Sequence, residues 1–159
     1  MLTSVRPEEA DILLAHYQSM VGLPGCTWSE DYPAAEDVAN DIAAGAVYAL
    51  RDEQGAIIAA ASTETDEVAD LPFVTRPDAH SIEISRVMVV RSHQGHGLAR
   101  QVVGELIEHL RSEGYEVIRL LVSRGNLPAW HTYMRLGFQP IGECDRYDVH
   151  WTACELILR

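Results

Sequence analysis

The sequence predicts one mixed α/β domain over residues 1–159, built on a central sheet of six or seven strands with about four flanking helices. Three observations support this. At 159 residues and 47% hydrophobic content, the chain is long enough to bury a core and too short for two. Its apolar periodicity runs strand, two helices, three strands, helix, strand, helix, two strands. A glycine-rich turn around Gln94–Gly97 then joins a β-branched strand to an amphipathic helix.

Thr3 to Val5 reads as a short strand. Pro7, Glu8 and Glu9 suit a helix start, where proline is tolerated and carboxylates meet the positive end of the dipole. Ala10, Leu13, Leu14, Tyr17 and Val21 share one face, so the first helix runs to about Met20, before Leu23-Pro24-Gly25 breaks it. After a loop with Trp28, Pro33 opens a second helix that stops at Gly45. Ala46–Arg51 and Ala56–Thr63 form a hairpin across Asp52–Gly55. Glu64–Ala79, with Pro72 and Pro77, reads as a long loop, a kind of segment that is often functional. Ile82–Val90 is a strand, and the helix after it shows Ala99, Val102, Val103, Leu106 and Leu110 on one face. Val117–Val122 is a buried strand parallel to the previous one. Pro128–Leu136 is a last helix, ended by Gly137 in the left-handed conformation. Strands at Phe138–Tyr147 and Trp151–Leu158 complete the order.

The charge is lopsided. The net charge is −12, with 15 acidic residues against 3 arginines in residues 1–80 and 9 against 9 in residues 81–159. Such a chain repels phosphate backbones, which argues against nucleic acid as a partner and favours a cationic small molecule. There is no lysine, and we have no physical account of its absence. Cys26, Cys144 and Cys154 fit neither a zinc nor a disulfide framework and read as small buried hydrophobes. His93 and His96 lack a third ligand at suitable spacing, so no metal is expected. Neither a signal-peptide pattern nor an apolar run long enough to span a bilayer is visible, so a cytoplasmic protein without membrane contact is the expectation.

The informative stretch is Val87-Met88-Val89-Val90-Arg91-Ser92-His93-Gln94-Gly95-His96-Gly97-Leu98-Ala99-Arg100. A glycine-rich junction into a helix N-terminus is an anion site, because glycine admits close backbone approach and the first-turn N–H groups are unpaired. A nucleotide P-loop would require Gly-Lys-Ser/Thr, which a chain without lysine does not hold. Gln94-Gly95-His96-Gly97-Leu98-Ala99 instead resembles the Gln/Arg-x-x-Gly-x-Gly/Ala signature of the GNAT (GCN5-related N-acetyltransferase) superfamily. Asn126, Ala129, Tyr133, Gly137 and Phe138 resemble its Asn-x-x-Ala-x-x-x-Tyr-x-x-x-Gly-Phe pattern. The close match covers residues 82–140.

That resemblance implies a GNAT fold with splayed central strands and an acetyl-CoA-dependent N-acetyltransferase that acts by direct attack of a primary amine. It implies that the main chain of Val87, Met88 and Val89 pairs with the pantetheine arm, that Gln94, Gly95, His96, Gly97, Leu98 and Ala99 hold the pyrophosphate, and that Asn126 binds nearby. Tyr133 is the candidate general acid for the departing thiolate and also borders the cofactor. N–H groups around Met88 or Val89 are candidates to polarise the thioester carbonyl. Glu83 is the first candidate base and His80 the second; the glutamate that some members carry before the asparagine motif is replaced here by Leu120-Leu121-Val122. Acceptor selection falls to segments holding Trp28, Glu30, Asp31, Tyr32, Glu64, Asp66, Asp70 and Phe73, where carboxylates beside aromatics suit an ammonium. Trp28, Tyr32 and Glu64 are the named acceptor candidates. The alternatives are a non-catalytic acyl-CoA sensor and a protein N-acetyltransferase. A homodimer is a family-based expectation.

Overall fold

The computed structural model describes all of residues 1–159. Its elements are β1 (Thr3–Ser4), α1 (Ala10–Ser19), α2 (Ala35–Ala43), β2 (Val47–Arg51), β3 (Ile57–Glu64), β4 (Ser81–Val89), α3 (Leu98–Ser112), β5 (Val117–Ser123), α4 (Leu127–Arg135), β6 (Gln139–Arg146) and β7 (Val149–Ile157). The order is the one the periodicity predicts. All seven strands join one sheet in the order β1-β2-β3-β4-β5-β7-β6, antiparallel except for the β4–β5 pair. No helix is long and apolar enough to cross a membrane.

Two boundaries differ for physical reasons. Pro33 does not open α2: it follows a cis Tyr32–Pro33 bond, Ala34 is extended, and the Ala34 N–H donates to Asp37 Oδ2 at 2.8 Å. The helix therefore begins where a carboxylate three residues on can satisfy a free N–H. The long segment after β3 is also more ordered than a loop, with a 3₁₀ turn at Val68–Asp70 and Val68 fully buried.

Alternation along the strands gives the sheet two unlike faces. On one, Ala59, Ala61, Ile84, Ile118, Leu120 and Val122 pack against α3, together with Tyr133 of α4. On the other, Val47, Ala49, Ala60 and Met88 pack against Leu13 and Tyr17 of α1 and Val38 and Ile42 of α2. Further along that second face the residues turn polar. Glu64, Glu83, Arg119 and Glu155 are successive in-register partners across β3, β4, β5 and β7, so their side chains project from the same side of the sheet.

Arg119 explains why the β3–β4 segment is ordered. It is 0% exposed, and its three nitrogens donate to Glu155 Oε2, Asp66 Oδ2 and the Arg76 carbonyl, each at 2.7 Å. Thr75 Oγ1 donates to the same Glu155 carboxylate at 2.7 Å, and Ser81 Oγ to Asp66 at 2.7 Å. The Phe73 ring lies flat on Gly142 of β6, where any Cβ would collide with it.

Candidate active site

β4 and β5 pair only through Ser81–Val117, Ile82–Ile118 and Glu83–Arg119. Beyond those rungs β4 stays with β3 as far as Val89 and β5 stays with β7 as far as Ser123, so a wedge opens between the two central strands. The predicted splay is present, and its edges carry main-chain groups that no neighbouring strand claims. Within it β4 is bulged: two steps on β3 (Ala60 to Ser62) match three on β4 (Met88 to Ser85). Arg86 takes the extra position, with φ 47°, a left-handed conformation that few side chains adopt.

At the wedge mouth the chain passes a 3₁₀ turn, Arg91–His93, and enters α3 through Gly95 and Gly97, at φ 83° and 76°. Nothing lies within 4 Å of a Cβ built on either, so conformation rather than crowding demands glycine. The N–H groups of Gly95, His96, Gly97, Leu98, Ala99 and Arg100 make no backbone hydrogen bond, and no side chain caps them. Six consecutive free donors at the positive end of a 15-residue helix fit a pyrophosphate. The Gln94 side chain points elsewhere: its amide donates to the Val89 carbonyl at 3.3 Å and approaches Met20 Sδ at 3.5 Å, tying the turn to the end of β4.

Asn126 caps α4, its Oδ1 accepting from the Ala129 N–H at 3.3 Å. Gly25, from the loop between α1 and α2, sits so near that its Cβ would fall 3.1 Å from Asn126 Cα. That loop therefore spans the mouth from the α1 side to the start of α4. Tyr133 lies about two turns further along α4, 7% exposed and edge-on to Phe138 with ring centroids 5.8 Å apart. Burial, with Cys154 adding to it, holds its phenol above the ordinary value, so it stays protonated through neutral pH.

Glu83 faces the opposite side of the sheet from Tyr133's partners, since its neighbour Ile84 belongs to the α3 core. It is 7% exposed, and one oxygen accepts from the Glu67 N–H at 3.2 Å. Burial, then repulsion from Glu64 and Asp66, pushes its pKa up to about 8. His80 stands apart from the wedge: it precedes the first β4–β5 rung and stacks on Tyr115, centroids 4.3 Å apart.

The acceptor candidates meet at a residue that the sequence reading did not single out. The Arg86 side chain, 9% exposed, donates to Tyr32 Oη at 2.8 Å, Glu64 Oε2 at 3.1 Å and Asp41 Oδ2 at 3.0 Å. Tyr32 and Glu64 are thus brought together, engaged with a cation rather than free. Trp28 instead packs edge-on to Tyr17, centroids 5.1 Å apart. Asp66 and Phe73 lie away from the wedge, in the Arg119 network and on Gly142. A left-handed arginine inside a strand leaves no mark in composition or periodicity, so only the fold reveals it. Beside Gly25, a cleft of about 330 Å³ is lined by Cys26, Ser123, Arg124, Asp148 and His150. His150 is held between Glu143 and Asp145 at 2.9 and 2.8 Å, which raises its pKa.

Comparison with known proteins agrees with this geometry. The model of the Acetyltransferase (GNAT) family matches residues 15–138. An uncharacterized N-acetyltransferase, YobR of Bacillus subtilis (strain 168), is 37% identical over 60 residues, 38% of this chain and 24% of that protein, so the match spans about a quarter of that relative. A GNAT-family acetyltransferase from Streptococcus agalactiae 2603 superposes with a TM-score of 0.83 at 21% identity, over 99% of this chain and 94% of that one. YncA from Salmonella typhimurium, solved with acetyl-CoA as its cofactor, gives a TM-score of 0.77 at 19% identity, over 100% of this chain and 94% of that one. At these identities the two structures show the shared fold. With the family model covering most of its length, the chain belongs to the Acetyltransferase (GNAT) family.

Proposed function

We propose that this chain moves an acetyl group from acetyl-CoA to a primary amine on a small cationic molecule, in one step of direct attack. The observation that carries this reading is the wedge between β4 and β5 with free main-chain donors at its mouth; Tyr133 lies in the core on the α3/α4 face of the sheet, and Glu83 projects from the other face at the last β4–β5 rung, where the wedge begins. Acetyl-CoA supplies an acyl group already activated on sulfur. Val87, Met88 and Val89 bind its amide arm as an added strand would, and an N–H of Met88 or Val89 stabilises charge on the acyl oxygen. The N–H groups of Gly95–Ala99 take the pyrophosphate, with Gln94 fixing the turn, and Asn126 binds alongside through its free amide.

Glu83 accepts the amine's proton and Tyr133 gives one to the sulfur. The base form of Glu83 grows as pH rises through about 8, a range in which more of a primary amine is also unprotonated. The two carboxylates Glu64 and Asp41 outnumber the single cation Arg86 in charge, and this residual negative potential beside the Tyr32 phenol favours a cationic acceptor. A screen of primary amines by thiol release from acetyl-CoA tests the reading. Saturable stimulation by cationic amines, reduced about a hundredfold or more by Tyr133→Phe, is the expected result. Thiol release that no amine raises above background would reduce the chain to a cofactor-binding module.

A further inference from the structure

The bulge in β4 sets a charged side chain where the backbone suits glycine. Arg86, at φ 47°, immediately precedes Val87–Val89, so its cluster borders the stretch assigned to the acetyl-bearing arm. A residue other than glycine persists at such an angle only where its surroundings hold it. Here Asp41 Oδ2, Glu64 Oε2 and Tyr32 Oη do so. Each carboxylate uses one oxygen on the guanidinium, and Asp41 Oδ1 and Glu64 Oε1 accept no hydrogen bond within the chain. The Tyr17 phenol, 1% exposed, pairs loosely with Ser62 and lies beside Asp41, Arg86 and Tyr32 without bonding to them. Ser85 Oγ, one residue before Arg86, is buried without a partner. Asp37, one turn earlier in α2, is used by the Ala34 N–H. Two carboxylates against one guanidinium leave one negative charge. Asp41 Oδ1, Glu64 Oε1 and the Tyr17 oxygen are as many open acceptors as a primary ammonium has N–H groups.

We propose that Arg86 sets the charge of the acceptor: besides the amine that reacts, the acceptor carries one ammonium, seated on Asp41 and Glu64 next to the guanidinium. The inference rests on the acetyltransferase reading above and deepens it by naming the class, a short aliphatic diamine. The reacting amine is neutral when it attacks, so it adds no charge at the acyl group. The second amine stays protonated and answers the one charge that Arg86 leaves over. A monoamine leaves that charge unmatched, and a triamine brings a further cation that the guanidinium repels. Arg86 is buried to 9% of its side chain, whereas Glu64 keeps 35% of its own exposed and Tyr32 is exposed, so the ammonium enters from the side of those two. Arg86 touches no reacting atom; it is a positioning residue that acts through the two carboxylates.

The test measures kcat and KM by thiol release from acetyl-CoA for butylamine, 1,4-diaminobutane and norspermidine in the parent, Arg86→Gly, Arg86→Lys and Glu64→Gln, and follows binding of the same amines by calorimetry. In the parent, 1,4-diaminobutane should give the highest kcat/KM, severalfold above the other two. Arg86→Gly should move the maximum to norspermidine by lowering its KM, with KM for butylamine unchanged within about twofold. Arg86→Lys, which keeps the charge, should keep the parent order, and Glu64→Gln should abolish the advantage of the diamine over butylamine. Mere support of the fold would change all three amines alike. An order that is the same in the parent, Arg86→Gly and Glu64→Gln overturns the proposal, as does a parent that prefers butylamine; turnover of any amine then leaves the acetyltransferase reading standing. If Arg86→Gly does not fold, Arg86→Lys and Glu64→Gln decide. If no amine is turned over, that reading falls and calorimetry decides alone: tighter norspermidine binding in Arg86→Gly than in the parent supports the charge site, and equal binding removes it.

Discussion

Glu83 and Glu155 sit on either side of Arg119 in one row across the sheet, and their environments are opposite. Burial alone would raise Glu155, but its bonds to Thr75 and Arg119 outweigh that and hold its carboxyl below the ordinary value. Glu83 is also buried but bonds to no cation, and its pKa rises to about 8. The β5–β7 side of the row is closed: Asp66 and Glu155 share Arg119, each of whose three nitrogens donates a hydrogen bond, and Thr75 donates to Glu155. The β3–β4 side holds an uncompensated carboxyl, buried hydroxyls that bond to none of its charges and a left-handed arginine beside the wedge. Strain and unmet bonds thus fall on the side to which the proposed chemistry is assigned, and paired charges on the side that holds the fold.

That contrast makes the two sides separable by substitution. On the wedge side, Tyr133→Phe should lower kcat by about 10²–10⁴-fold, the range of a lost general acid, with acetyl-CoA affinity nearly unchanged in calorimetry; equal loss of both would remove the assigned role. On the closed side, Arg119→Ala strands Asp66 and Glu155 without their cation, and should destabilise by about 3–5 kcal/mol in denaturant unfolding. A variant that unfolds like the parent would show that the network is not what orders the β3–β4 segment.

Glu83→Gln joins both themes. Its kcat should fall about a hundredfold and lose the rise through pH 8 seen in the parent. Stability should move the other way. A carboxyl whose folded pKa lies above its unfolded value binds more protons folded than unfolded, so it lowers stability as pH rises from about 4 to 8. The glutamine variant's advantage in melting temperature should therefore grow across that window and level off above it. Gly97→Val, forcing a β-branched residue to φ 76°, should weaken acetyl-CoA about tenfold, corresponding to about 1–2 kcal/mol of strain. Smallest is Arg86→Gly, which suits the left-handed position while freeing Glu64 and Asp41 of their cation; KM for a cationic amine should fall severalfold at unchanged acetyl-CoA affinity.

The element order and the two motif stretches were legible because both are local. Helical stripes, the glycine pair before α3 and Asn126 at the start of α4 act through neighbours within four residues. Arg119 was not legible: it stands inside the apolar run Val117–Val122, and its partners lie 36 to 53 residues away. Separations of 22 to 54 residues likewise hid the use of Tyr32 and Glu64 by Arg86 and of Asp66 by Arg119. Their residue types indicated charge near an acceptor, but only the register of four strands decides which carboxylate is matched and which is left over. Pro33 misled for a local reason, since Ala34 is extended and the N–H that needs a cap is its own.

The most direct test of the account is a calorimetric titration of the folded protein with acetyl-CoA, with ATP and NAD as controls. Saturable binding of acetyl-CoA, weakened in Gly97→Val and absent with the controls, is the predicted result. A folded protein that takes up no acetyl-CoA would contradict the assignment of the wedge and its six free donors, and the acetyltransfer chemistry built on them.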